Sequence, residues 1–214
     1  MNPYLATAIA MCVIVALSLA GTAYLAMMFN RRAKADLSAR LTPLAEAIGG
    51  TIDLDDAVVE GRYAGHLVFG RVANAPGGIG RLFLVEVVDS AGGEGWEWSS
   101  LPVKGAPTPE RTFDGGAALE QRLGIDWNRF VMVVPNAESQ RFGVAYDPAA
   151  GTLKLPRAMR SRNDIPDRTS FLAQLDALVS VGLLNRRAQG APTSEPVPMS
   201  SSRPLDTDPP ASDA

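Results

Sequence analysis

The chain has 214 residues but one histidine, His66, and one cysteine, Cys12. These scarcities exclude much chemistry. A zinc site of several imidazole or thiolate ligands lacks its donors, and a Cys-His nucleophile lacks a thiol, because Cys12 lies within a long apolar run. A Ser-His-Asp triad would have to use His66, which falls in a predicted strand, and no G-x-S-x-G elbow is present. A lone cysteine forms no intrachain disulfide, which suits a reducing compartment and equally a disulfide-free secreted domain.

Phosphate-cradling loops are lacking as well. Gly77-Gly78-Ile79-Gly80 precedes a predicted strand instead of opening a helix, no G-K-[ST] follows it, and Gly92-Gly93 and Gly115-Gly116 fail in the same way. Asp53, Asp55 and Asp56 lack the glycine and distal glutamate of a calcium loop and read as a solvated turn. No catalytic residue, cofactor or metal is assigned. A nucleic-acid partner is not expected either, since residues 42–187 carry 15 basic against 18 acidic side chains and no concentrated basic face.

The most informative absence is of charge between residues 4 and 29. Of these 26 residues, 22 are hydrophobic, the exceptions being Thr7, Ser18, Gly21 and Thr22. A hydrocarbon core of about 30 Å needs about 20 apolar residues in a helix, so the run is predicted to span a membrane with some tilt. A cleaved signal peptide would instead have a charged front and an apolar stretch of about 7–15 residues. Residues 30–41 then bring Arg31, Arg32, Lys34 and Arg40 against Asp36 alone. Such a collar is retained on the cytoplasmic side, which predicts a single-pass cell-membrane protein with its N-terminus outside and its domain cytoplasmic. Ala6 and Ala10, and Ala16 and Ala20, stand four apart and would admit a second helix.

The chain therefore divides into a short N-terminal end at 1–3, a transmembrane helix at 4–29, a basic juxtamembrane segment at 30–41, a globular domain at 42–187 and a tail at 188–214. The tail has 7 hydrophobic residues among 27 and six prolines, and is predicted to be disordered. Within the domain, Thr42-Pro43 has the pattern of an N-cap followed by the first helical residue, predicting that the helix leaving the membrane ends or kinks near Leu41 and that a short helix runs from Pro43 to Ile48. Strands are predicted over residues 62–72, 81–89, 96–103, 130–134, 141–146 and 152–155, with a short helix at 115–123. Short connections imply antiparallel neighbours. Phe171, Leu175 and Leu178, flanked by Leu172, Val179 and Leu183, mark an amphipathic helix over 168–185. The expected class is α+β, a single N-terminal transmembrane helix followed by a small antiparallel sheet covered by a C-terminal amphipathic helix.

Glu86 interrupts an apolar run and, if buried, needs Arg62, Arg71 or Arg81 as partner. Trp96 and Trp98 share one strand face, either as core or as an exposed aromatic platform. Arg157, Arg160, Arg162 and Arg168 form a second basic stretch assigned to a loop. The candidate contacts to lipid or to a protein partner are thus Arg31, Arg32, Lys34, Arg157, Arg160, Arg162, Trp96 and Trp98, with the bilayer itself as the first partner. Function reads as a membrane-anchored interaction or accessory domain; the alternative is a tethered enzyme using carboxylate acid–base chemistry.

Overall fold

The structure is a computed structural model that describes residues 3–75, 77, 80–106 and 108–190, without the side chains of residues 3 and 5–10. The tail from 191 onward lies outside the described residues. Ala188 and Gln189, expected in that tail, belong instead to the last helix.

The first element, α1 (Pro3–Ala47), is a single helix of 45 residues. It is long and apolar enough to cross a membrane, and the apolar window of residues is not buried against the described part of the domain. Val13, Ile14, Leu17 and Phe29 are all more than half exposed. The helix does not end near Leu41 and no new one starts at Pro43, which sits inside it. A proline in a helix interior costs about 3 kcal/mol. Leu41 and Leu44 are both fully buried, and each contributes about 1.5–3 kcal/mol by leaving water, so packing outweighs the lost hydrogen bond. The end of α1 is therefore part of the domain core.

Among the described residues eight strands follow: β1 (Thr51–Asp53), β2 (Val58–Tyr63), β3 (His66–Asn74), β4 (Arg81–Val88), β5 (Trp96–Leu101), β6 (Glu110–Asp114), β7 (Phe142–Asp147) and β8 (Thr152–Met159). They form one sheet in the order β1-β2-β3-β4-β8-β7-β5-β6 with every pair antiparallel. The single strand expected over 62–72 is two, joined at Ala64-Gly65 with Tyr63 opposite His66. Both turn residues have positive φ, 49° and 83°, as a two-residue hairpin with the right twist requires. The strand expected over 130–134 is a helix, α3 (Asn128–Val133), after α2 (Ala117–Leu123). Phe130 and Val134 are buried four residues apart, whereas Met132 between them is 78% exposed, a helical periodicity that a five-residue apolar run conceals.

β8 runs through Arg157, which is consequently a strand residue and not a loop residue. Pro156 lies inside this central strand. Having no N–H, it interrupts the ladder to β7, whose paired residues step from Phe142–Arg157 to Ala145–Lys154. The last element, α4 (Arg168–Gln189), starts at Asp167, whose Oδ1 accepts from Ser170 N at 2.7 Å, and ends at Gly190 in the left-handed region.

Helices cover one face of the sheet. Phe171 of α4 meets Phe83 of β4 edge to face at 6.4 Å, and Gly70 of β3 leaves the room, since a Cβ there would stand 3.1 Å from the Phe171 ring. Trp98 stacks on Trp127 at 4.8 Å with the rings 4° apart, and Trp96 stacks on Phe113 at 6.0 Å while its Nε1 donates to Asn185 Oδ1 at 2.9 Å. Trp96 and Trp98 are buried. Of the two readings open from the sequence, core is the correct one, and neither ring is a surface for lipid or partner.

Candidate functional site

The C-terminal part of α1 lies along β2. Lys34 Nζ donates to Asp55 Oδ1 at 2.5 Å, and fourteen residues later Ile48 O accepts from Arg62 N at 3.2 Å. Residues 54–57 form the turn before β2, so the first contact lies at that turn and the second near the other end of the strand. The approach is close; a Cβ on Gly61 would stand 2.6 Å from Ile48 Cγ1. The end of the domain nearest the apolar run is consequently the end that holds the β1–β2 turn, the start of β4 and the end of β8.

At this end the segment after β8 reaches back to α1. Arg162 Nη1 donates to Ala33 O at 3.2 Å and lies 3.3 Å from Asp36 Oδ2, while Arg40 Nη2 donates to Asn163 Oδ1 at 2.6 Å and Arg40 Nε lies 3.4 Å from Asp36 Oδ1. Asp36 thus sits between two guanidinium groups. Ser161 caps the short 3-10 turn Arg162–Asp164, and Asp164 Oδ2 accepts from the backbone N–H of Arg160 and Ser161. Those backbone hydrogen bonds, Ser161 first, hold the Asp164 carboxyl below its usual value of 3.8; the hydrogen bond and charge of Lys34 do the same for Asp55.

A cleft of about 380 Å³ opens between α1 and the sheet. Leu37, Val72, Met159 and Ile165 give it an apolar floor, and Arg81, Arg160 and Arg162 stand around it. Arg81 and Arg160 are exposed and, among the described residues, form no ion pair. Arg31 and Arg32, on the exposed helix just beyond the apolar run, are likewise without one.

Of the eight residues singled out from the sequence, Arg31, Arg32 and Arg160 are exposed cations on this side of the domain. Lys34 and Arg162 are there too, but fasten α1 to the domain. Arg157 does not join them. It is 2% exposed, donates through Nη2 to Asp164 O, and burial pushes its guanidinium below the ordinary arginine value despite the nearby Asp164 charge. The sequence points to Arg81 only as a partner for Glu86; its place at the cleft follows from strand order, which no local motif encodes.

The other candidates resolve into structural roles. Glu86 is buried and accepts from Arg71 Nη2 at 3.0 Å. Asp53 Oδ1 accepts from the backbone N–H of Asp55 and Asp56, closing their turn, and among the described residues no group of three or more His, Cys, Asp or Glu side chains is placed to hold a metal ion. His66 Nδ1 donates to Val88 O at 3.3 Å. Glu97 lines a second cleft of about 350 Å³ with Ser99 and Arg141, and among the described residues no other carboxylate lines it. Comparison of the chain with known family models, curated proteins and solved structures finds no match in any of the three.

Proposed function

We propose that the protein is a single-pass membrane protein whose N-terminus lies outside the cell membrane and whose α+β domain is an interaction or accessory module held against the cytoplasmic leaflet. The observation that carries this reading is the unbroken course of α1 from an apolar, exposed stretch into the domain core at Leu41 and Leu44. A flexible linker would let the domain wander; a helix pinned by Lys34, Arg40 and Arg162 fixes its height and tilt relative to the bilayer. The collar of Arg31, Arg32, Lys34 and Arg40 supports the cytoplasmic placement, because basic residues within about 15–20 positions of a span are retained on that side. The enzymatic alternative draws no support from the carboxylates, since Glu86 is engaged by Arg71 and the displaced groups Asp55, Asp147, Asp164 and Asp167 are all moved downward, away from the range of a general acid.

Alkaline extraction and protease protection test the reading together. The chain is expected to stay with the membrane at high pH, and the domain to be cleaved in inverted vesicles while remaining protected in right-side-out ones. Cleavage of the domain only in right-side-out vesicles would reverse the topology.

A further inference from the structure

We infer that the cleft between α1 and the sheet receives the phosphate group of an anionic phospholipid from the leaflet that faces the domain, an inference that rests on the membrane-anchor reading above. Position is the first argument. Ala33 and Asp36, which Arg162 touches, lie four and seven residues past Phe29, or about 6–10 Å along the helix. The headgroup layer is about 5–8 Å thick on each side of the hydrocarbon, and charges act over about 8 Å at physiological ionic strength. The mouth of the cleft therefore stands at the level of the lipid phosphates.

Chemistry is the second. The arginine fork matches phosphate oxygens in pairs, and Arg81 and Arg160 stand at the cleft with no ion pair among the described residues, although Arg160 Nη2 donates to Ser139 O at 3.4 Å and its charge acts on Asp164. Of the carboxylates at this end, Asp55 is engaged by Lys34, Asp36 by Arg40 and Arg162, Asp164 by two backbone N–H groups and Asp53 by its own turn, while Asp56 is exposed. Arg162 is tied to Asp36 and Ala33 and so holds the wall in place. The floor is apolar, formed by Leu37, Val72, Met159 and Ile165. A free phosphate gains nothing from such a floor, whereas the glycerol and first methylenes of a lipid do. The occupant is therefore an anionic phospholipid, with its phosphate between Arg81 and Arg160.

Native mass spectrometry of the full chain in mild non-ionic detergent tests this, with phosphatidylglycerol, phosphatidylcholine and glycerol 3-phosphate titrated separately. Phosphatidylglycerol is expected to form an adduct at the lowest concentration. Arg81→Gln weakens it about fivefold and the Arg81→Gln/Arg160→Gln pair about thirtyfold, the effect of removing one and two cations near a lipid surface. Arg187→Gln, at the far end of α4, leaves it unchanged, and Arg160→Lys retains part of it. An adduct indifferent to the paired substitution, equal affinity for phosphatidylcholine, or equal affinity for glycerol 3-phosphate each overturns the assignment. Alkaline extraction separates the two claims. A chain that stays in the membrane but shows no arginine-dependent adduct refutes the cleft proposal alone, and a chain stripped from the membrane refutes the anchor beneath it.

Discussion

Leu41→Ala measures whether the end of α1 belongs to the domain. Leu41 is fully buried, whereas Leu25, sixteen residues earlier on the same helix, is 48% exposed. Replacing a buried leucine by alanine costs about 2–5 kcal/mol, from lost transfer energy and from the cavity left behind. Leu41 packs between helix and sheet, where collapse is restrained by the paired Lys34–Asp55 and Arg162–Asp36 contacts, so about 3 kcal/mol is the expected loss. For a domain of roughly 150 residues each kcal/mol shifts Tm by about 2–4 °C, which gives a fall of about 6–12 °C. The stacked Trp98–Trp127 pair supplies a near-ultraviolet dichroism signal for following unfolding of the full chain in detergent. Leu25→Ala is the internal control and is expected to shift Tm by less than about 1 °C, as surface substitutions do. If Leu41→Ala melts with the parent, the helix hangs free of the domain and the reasoning fails.

Three further outcomes follow from single contacts. Arg71→Ala strips the partner from buried Glu86 and is expected to lower stability by about 1–3 kcal/mol in urea titrations, with Glu86→Gln milder; equal tolerance of both would contradict the buried pair. Asp167→Ala removes the cap of α4 and is expected to cost about 1 kcal/mol, with Asp167→Asn nearly neutral; a similar loss in both would assign the effect to charge and not to the hydrogen bond. Acid should destabilise the domain. Asp55, Asp147, Asp164 and Asp167 are held below 3.8 in the folded chain, so their contributions are complete above that value and disappear as pH falls through the lower folded values. Urea midpoints should be level from about pH 6 to pH 5 and drop below about pH 4; a midpoint that rises on acidification would refute the assignment.

Where one kind of residue dominated a segment, the sequence was sufficient. The uncharged run at 4–29 and the three-and-four spacing of Phe171, Leu175 and Leu178 led directly to α1 and α4. Local signals misled where distant packing overruled them. Thr42-Pro43 has the pattern of a helix start, but burial of Leu41 and Leu44 keeps one helix intact. Ala64-Gly65 carries no Asn-Gly signature, and its hairpin shows only in the pairing of Tyr63 with His66. Arg157 belongs by sequence to a basic stretch that reads as a loop, yet β4 on one side and β7 on the other extend the strand past it and bury it. The cleft was the least legible feature, because Leu37, Arg81 and Arg160 come from α1, β4 and the segment after β8, which meet only through the strand order.

The central claim is that α1 runs unbroken from the bilayer into the core and holds the domain at a fixed height. Amide hydrogen exchange of the full chain in lipid nanodiscs tests it most directly, read over residues 31–47. Continuous slow exchange across that stretch, including the turn on either side of Pro43, is the expected result. Rapid exchange between Arg31 and Leu41, with protection only on both sides, would show a flexible tether and contradict the account.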